Sequence, residues 1–178
     1  CVHTGNVLPW YDLIPVASFV LLRGKSRFSG KTLSVQYPLV ELLTGILFAG
    51  LYWKFLVLGD ISAYSVVLFV LYAVQICLLV VIAFYDLRTK IIPNPFVYSF
   101  IIVAGLMLLI QDLPVIGFLA GLALWASFSI LWYVSKGTWM GYGDAKLAWG
   151  IGWILGLLDG FLAILLSFWV GAIISVGL

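Results

Sequence analysis

Charged residues are scarce in this chain: they make up 9% of its 178 positions, whereas soluble domains carry about 25%. Hydrophobic residues make up 65%, too many for polar groups to cover a globular surface, so most of the surface must face lipid. The net charge of +2 is too small to indicate a nucleic-acid partner. These shortages exclude a soluble domain and a nucleic-acid-binding protein, and they predict a membrane protein.

Histidine and cysteine are almost missing. His3 is the only histidine, so a Ser-His or Cys-His catalytic unit would have to use it, in a terminal segment. Cys1 and Cys77 are the only cysteines, and they imply no disulfide framework. The chain also lacks an initiator methionine and a cleavable signal peptide pattern, and its last apolar run has no flanking charge. We therefore expect a fragment that is truncated at both ends.

Six apolar runs follow a more polar segment at residues 1–36. A helix needs about 20 apolar residues to cross a bilayer. The runs occupy residues 37–58, 61–85, 95–110, 114–134, 147–158 and 161–178, with turns at 59–60, 111–114 and 159–160 and polar breaks at 86–90 and 135–146. The short fifth run indicates a tilted helix, one lengthened by the preceding loop, or a partly re-entrant segment. The predicted fold is an all-α polytopic membrane helix bundle over residues 37–178, with residues 1–36 as a cytoplasmic loop.

Lysine and arginine are segregated to one side of these runs. If every run crosses, that side holds nearly all of the cations: Arg23, Lys25, Arg27, Lys31, Arg88, Lys90, Lys136 and Lys146. The other side holds Lys54, near a helix end, and three acids in short turns: Asp60, Asp112 and Asp159. Because cytoplasmic loops are enriched in Lys and Arg, the cation-rich side is predicted to be cytoplasmic. Asp86 and Asp144 then both lie at the cytoplasmic face.

Two acids stand at the ends of polar breaks on that face. Asp86 directly follows the uncharged second run, and Asp144 ends the sequence Gly141-Tyr-Gly143-Asp144. Acids at membrane depth are costly and indicate function when no structural role explains them. The structural alternatives are an ion pair of Asp86 with the cations that follow it and an N-cap role for Asp144. Glycine permits positive φ and close backbone approach, so Gly141 and Gly143 would let an extended peptide lie beside Asp144.

The pair is more informative than either acid. Two neighbouring carboxyls cannot both ionise easily, so one pKa rises and the pair shares a proton. One acid can then activate a water as base while the other donates a proton toward the scissile carbonyl. This is the chemistry of aspartic proteolysis, which needs neither a metal nor a nucleophilic side chain. We predict Asp86 and Asp144 as the catalytic pair.

Motifs in a fixed order run along nearly the whole chain. Residues 86–94 read Asp-Leu-Arg-Thr-Lys-Ile-Ile-Pro-Asn and residues 141–146 read Gly-Tyr-Gly-Asp-Ala-Lys, with further motifs at 10–15, 22–25 and 36–45. They resemble the motifs of type IV prepilin peptidases, a family of Gly-x-Gly-Asp membrane aspartic proteases. The resemblance implies cleavage of the leader peptides of type IV prepilins and pseudopilins at the cytoplasmic face of a bacterial inner membrane.

The same resemblance implies a second activity. Many members of the family methylate the new N-terminus of the cleaved protein with S-adenosylmethionine. Gly24 and Lys25 fall in the loop segment that the resemblance links to methyl transfer. A positively charged turn near anionic lipid accounts for the cations of this loop equally well.

The family often holds a zinc ion in this loop through two Cys-x-x-Cys pairs. The matching positions here are Cys1, Thr4, Ser26 and Ser29. One thiolate, even together with His3, cannot build a four-ligand site, so we predict no zinc. The loop would then be held by the packing of aromatic side chains. The candidates are Trp10, Tyr11 and Phe28.

Glu41 lies one turn into the first apolar run. As an interfacial acid it would snorkel or pair with a cytoplasmic cation. The functional alternative is a group that supports the catalytic pair or contacts a substrate amine.

Two other functions fit part of the pattern. A presenilin-like intramembrane protease shares the Tyr-Asp and Gly-x-Gly-Asp sequences, but the cations after Asp86 place this acid near the interface, and that family's Pro-Ala-Leu segment is missing. A transporter with acids as proton or cation sites would carry an acid or a broken helix near the bilayer midplane. The acids here stand at the ends of runs instead.

Overall fold

The computed structural model describes residue 7, residues 9–111 and residues 114–177. Within that part, regular structure is helical except for an isolated antiparallel bridge between Lys25 and Thr32. A 3-10 turn at Trp10–Leu13 and the short α1 (Ala17–Leu21) precede the long helices. These are α2 (Gln36–Tyr52), extended by a π-helical turn at Trp53–Val57, then α3 (Ala63–Thr89), α4 (Asn94–Ile110), α5 (Pro114–Val134), α6 (Tyr142–Leu155) and α7 (Leu157–Gly177).

Several of these helices suit a bilayer. In the part of the chain that the structure describes, Gln36–Val57, Ala63–Thr89 and Val115–Val134 are long and apolar enough to cross a membrane. The apolar helices Asn94–Ile110 and Leu157–Ile173 are shorter. Many large hydrophobic side chains along these helices are exposed, as expected when lipid surrounds them. The predicted all-α membrane fold is confirmed.

Two helix boundaries differ from the sequence prediction. Helix α3 continues through Asp86 to Thr89, and the chain leaves the helix at Lys90, where φ is 57°. Helix α6 begins at Tyr142, after Gly141 as an extended N-cap, rather than at residue 147. Polar residues are stable at helix ends because the terminal backbone groups bind water and side chains. The predicted polar breaks are therefore too wide, and the fifth run is lengthened by the preceding segment.

The turn predicted at residues 159–160 is wrong. Asp159 and Gly160 lie in α7, and the chain bends at Gly156, whose φ of 82° is a conformation that glycine adopts without strain. A Cβ added to Gly160 would lie 3.6 Å from the Gly152 Cα, so α7 runs back along α6 as a helical hairpin. Asp112, predicted to lie in another turn, is outside the described residues.

The chain forms two compact units, Cys1–Phe69 and Val70–Leu178. In the second, α6 packs against α4, α5 and α7 through small buried residues. These are Ala145, Ala148, Gly150 and Gly152. Gly152 approaches Gly121 of α5 so closely that an added Cβ would lie 2.6 Å from the Gly121 Cα. Small-residue contacts of this kind hold helices together where lipid removes the hydrophobic drive for association.

In the first unit, an ion pair joins two parts of the loop. The Arg27 guanidinium donates to both carboxylate oxygens of Asp12 at 2.7–3.1 Å, and its Cζ lies 5.1 Å from the centre of the Tyr11 ring. Trp10 is 76% exposed and Phe28 is 41% exposed. Of the predicted aromatic contacts, Trp10 and Tyr11 meet edge to face with ring centres 5.9 Å apart, and the polar bonds between Asp12 and Arg27 add to them. Tyr11 contributes by lying against the guanidinium.

Candidate active site

Asp86 lies in the last turn of α3, on the side that faces α4. Ile82, one turn earlier, is 2% exposed and packs against Phe100 of α4. Deeper in the helix, the Gln75 side-chain amide donates to the Phe100 carbonyl at 3.0 Å. Residues four apart share a helix face, so Asp86 continues the side of α3 that Ile82 packs on α4. These contacts hold the Asp86 end of α3 at the start of α4.

Asp144 lies in the first turn of α6, outside the candidate membrane spans, and is partly buried. Gly141 is the N-cap, so the N-cap interpretation of Asp144 is wrong. Burial raises the pKa of the Asp144 carboxyl, the negative charge of Asp86 raises it further, and a hydrogen bond with the Gly141 backbone opposes both. The repulsion requires the two carboxyls to lie within electrostatic reach of each other. The structure thus brings together two acids that a complete helical hairpin separates in sequence.

The two glycines before Asp144 have different environments. A Cβ added to Gly143 would lie 2.7 Å from the Ile92 Cβ, in the connection between α3 and α4. Such a contact is too short for real side chains, so α6 can reach this connection only with glycine at position 143. A Cβ on Gly141 would meet the Asp144 carboxylate at an ordinary 3.8 Å. Neither glycine has a positive φ, so the backbone conformation does not require glycine at either position. Close packing requires it at position 143 only.

Lys146 and Asn94 form a contact that sequence reasoning missed. The Lys146 ammonium donates to Asn94 Oδ1 at 2.8 Å. Its Nζ lies 5.1 Å from the centre of the Tyr98 ring and 5.3 Å from that of Tyr142. The sequence shows Lys146 only as a loop cation, and a contact across 52 positions leaves no local pattern. The one feature of the sequence that could have drawn attention to Asn94 is its place at the end of the motif at residues 86–94.

Glu41 of α2 accepts a hydrogen bond from the Val16 backbone N–H at 2.8 Å. Val16 has a φ of 60° and directly precedes α1, so the carboxylate binds an amide that the helix leaves free. The contact ties the loop to α2 within the first unit. The sequence suggested a cytoplasmic cation, the catalytic pair or a substrate amine as the partner of Glu41, and the structure shows a backbone amide instead.

Gly24 and Lys25 lie in a tight turn. Gly24 has a φ of 69°, its N–H donates to the Phe19 carbonyl at 2.8 Å, and its carbonyl accepts the Leu33 N–H at 2.7 Å. A Cβ added to Gly24 would lie 3.2 Å from the Phe19 ring. The Phe19 ring therefore fills the space beside Gly24, and Lys25 is exposed.

Two of the positions that match the family's zinc ligands lie in the described part of the chain. Ser26 Oγ accepts the Ser29 N–H at 3.5 Å, and Ser29 Oγ is buried without a hydrogen-bond partner. Cys1, His3 and Thr4 lie outside the described residues. Among the residues that are described, no three His, Cys, Asp or Glu side chains form a group that could hold a metal. The hydroxyls do not fit a zinc site, and the absence of zinc stays a prediction.

Helical fold and apolar surface define a multi-pass membrane protein, and comparison with known proteins gives its family. Residues 1–55 match the bacterial peptidase A24 N-terminal domain, and residues 73–176 match the type IV leader peptidase family. The second match covers more than half of the chain, which therefore belongs to the type IV leader peptidase family. The family resemblance predicted from the motifs is confirmed.

Relatives from several bacteria agree with this assignment. The chain is 37% identical to a prepilin leader peptidase/N-methyltransferase of Xanthomonas campestris, over 97% of the chain and 59% of that protein. It is 31% identical to one of Klebsiella pneumoniae, over 88% of the chain and 68% of that protein. A third, from Bacillus subtilis, is 30% identical over 88% of the chain and 60% of that protein. No solved structure matches the chain. These relatives and the apolar helices indicate a multi-pass protein of the inner membrane.

Proposed function

We propose that this chain forms the core of a membrane aspartic endopeptidase that cleaves the leader peptides of type IV prepilins and pseudopilins. The observation that carries the proposal is the packing of the start of α6, which holds Asp144, against the connection that follows Asp86, where an added Gly143 Cβ would lie 2.7 Å from the Ile92 Cβ. The negative charge of Asp86 also raises the pKa of Asp144. The family match and the names of the relatives support it. Asp86 and Asp144 are the proposed catalytic residues. Gly143 lets α6 approach the α3–α4 connection, and Gly141 leaves the side of Asp144 unobstructed.

The two acids take different roles in the proposal. Burial and the charge of Asp86 raise the pKa of Asp144, so Asp144 holds the shared proton and Asp86 takes a proton from a water molecule. The water oxygen attacks the scissile carbonyl carbon, while Asp144 donates its proton to the carbonyl oxygen. The resulting diol collapses as Asp144 takes a proton from one of its hydroxyls, the carbon–nitrogen bond breaks and Asp86 passes its proton to the nitrogen, which restores both acids. The products are a new carboxyl group on the leader and a new amine on the mature protein.

The orientation belongs to the same proposal. Lys/Arg segregation supports an orientation with the starts of α4 and α6, and Asp86 beside them, at the cytoplasmic face. By the family resemblance, prepilin leaders are short and basic and precede a hydrophobic helix. A site at this face lets that helix stay in lipid while the leader enters from the cytoplasm. Residues 1–36 would form the adjoining cytoplasmic loop and residues 37–178 the peptidase core, with Glu41 supporting the junction between them.

Methyl transfer enters the proposal through the names of the relatives, which pair the two activities. S-adenosylmethionine would be the methyl donor, and the loop turn at Gly24 and Lys25 would contribute. The geometry of Gly24 is explained by the turn itself, so Lys25 provides the sharper test. A Lys25→Glu variant should cleave normally and methylate slowly. Normal methylation by this variant would show that Lys25 and its turn do not contribute to methyl transfer.

The alternatives predict other arrangements. A presenilin-like protease would hold its acids within the bilayer, whereas Asp144 lies at the start of α6, outside the candidate spans, and Asp86 lies in the last turn of the span Ala63–Thr89. A transporter would place an acid within a span near the midplane. Among the described residues, the acid pair at two helix ends favours the leader peptidase.

The experiment is cleavage of a cognate prepilin by the full-length protein in lipid vesicles. Asp86→Asn and Asp144→Asn should each abolish nearly all activity, and the double variant should be no worse, because the two acids act as a unit. Asp60→Asn, which removes an exposed acid from the other end of α3, is the matched control and should cleave normally. Wild-type cleavage by either single active-site variant would refute the proposal and reopen the transporter interpretation.

A further inference from the structure

The Lys146 side chain crosses from α6 to α4. Its ammonium donates to Asn94 Oδ1 at 2.8 Å, and the Tyr98 and Tyr142 rings lie against it at 5.1 and 5.3 Å. Aromatic faces at this distance attract a cation, so groups from both helices hold the ammonium in one place. The hydrogen-bond partner that the structure gives it is a neutral amide oxygen. The contact therefore fixes the position of α6 relative to α4 and neutralises no charge.

The two ends of this contact stand close to the two acids in the chain. Lys146 follows Asp144 in the first turns of α6. Asn94 is the first residue of α4, and only the connection at residues 90–93 separates it from α3, whose last turn holds Asp86. Ile92 in that connection lies against Gly143. The start of α6 thus contacts the chain that follows Asp86 at two points: it packs against Ile92 of the α3–α4 connection, and Lys146 bonds to Asn94 at the start of α4.

We propose that Lys146 and Asn94 are positioning residues that set the separation of the Asp86 and Asp144 carboxyls. The inference rests on the proposed function and adds two residues to it. If the bond is lost, the start of α6 can shift along α4 and the shared proton is no longer held between the acids. A misplacement of about 1 Å at a catalytic group can cost about 100-fold in rate. Substrate affinity should change little, because neither side chain is assigned a contact with the leader.

The test measures kcat and KM for prepilin cleavage by the full-length protein in vesicles. Lys146→Met and Asn94→Leu should each lower kcat by about 10- to 100-fold and leave KM within about twofold. The double variant should be no worse than the single variants, because both remove one bond. Lys146→Arg, which still donates to the amide oxygen, should retain kcat within a few-fold even if the methionine variant folds poorly. Lys136→Met, an exposed cation before α6, is the matched control and should be unaffected.

The outcomes separate this inference from the proposed function. A raised KM with unchanged kcat would mean that Lys146 contacts the substrate, and additive losses would mean that the two residues act apart; either result overturns the positioning role. A loss that disappeared in vesicles without anionic lipid would assign Lys146 to the membrane surface and also overturn it. If Asp144→Asn is inactive while Lys146→Met has normal kcat, only the positioning role fails. If Asp144→Asn itself cleaves normally, the proposed function fails.

Discussion

Gly143 at the start of α6 lies directly against Ile92 in the connection between α3 and α4: a Cβ on Gly143 would stand 2.7 Å from the Ile92 Cβ. Gly143→Ala should therefore push α6 away from the connection. Overpacking of this kind costs about 1–3 kcal/mol of stability. Because Asp144 is displaced with α6, the variant should also cleave about 100-fold more slowly. Thermal unfolding in detergent and prepilin cleavage in vesicles measure the two effects.

The neighbouring glycine supplies the matched control. Gly141→Ala adds the same methyl group at a position with ordinary contacts and a φ of −74°, so stability and cleavage should change little. Ile92→Gly removes the opposing Cβ and should restore part of the activity of Gly143→Ala. Equal losses at positions 141 and 143 would contradict the steric account.

The pH dependence of stability follows from Asp144. Its pKa is raised in the folded protein, first by burial and then by the charge of Asp86. Such a carboxyl favours the folded state below its unfolded pKa, while it is protonated, and this contribution is lost as pH rises through the raised pKa. The wild-type protein should therefore lose stability as pH rises toward neutral. Asp144→Asn should show a weaker loss and a higher unfolding temperature at neutral pH. An identical pH profile for both proteins would refute the prediction.

Replacing Asp86 should move the titration of Asp144. Asp86→Asn removes the repulsion but not the burial, so the pKa of Asp144 should fall while staying above its ordinary value. Infrared spectroscopy of aspartate labelled with carbon-13, with Asp144→Asn to assign the band, follows the carboxyl directly. Asp60→Asn should leave the titration unchanged. No shift in Asp86→Asn would mean that the two carboxyls are too far apart to form a pair.

The loop should be sensitive to the Asp12–Arg27 ion pair rather than to metal. Asp12→Asn or Arg27→Ala should speed hydrogen exchange of the Leu33 amide, which closes the loop turn, by several-fold. The exchanged pair Asp12→Arg with Arg27→Asp should restore part of the protection, and Lys31→Ala should have no effect. A chelator should change nothing. Stoichiometric zinc bound through this loop in purified protein would refute the expectation.

The orientation can be tested by labelling. In a chain with Cys1 and Cys77 replaced by serine, a cysteine at position 60 or 159 should resist a membrane-impermeant maleimide added from the cytoplasmic side. Lys136→Cys should react from that side. Labelling of position 60 or 159 in intact membranes would overturn the proposed topology.

Hydrophobic runs predicted the long helices because apolar length is a local property of the sequence. The ends were predicted less well, since Asp86 and Tyr142 are polar residues that helix termini accommodate. Asp159-Gly160 has the composition of a turn, yet the bend is at Gly156, whose neighbours are apolar. The acid pair could be inferred from the motifs. The partnership of Lys146 with Asn94 could not, because it depends on how α4 and α6 pack.

The one-residue bend at Gly156 also bears on how the protein is made. Neither α6 nor α7 is among the candidate membrane spans of the described chain, but the first turns of α6 carry Asp144 and Lys146, whereas the apolar helix Leu157–Ile173 carries a single charged residue, Asp159. Because a single residue joins the two helices, we expect the apolar part of α6 to insert into the bilayer together with α7 rather than before it. The Asp144 helix would therefore enter the membrane as half of a hairpin, drawn in by α7. Until then, the two proposed catalytic acids would stay apart, and the proposed peptidase site would not form.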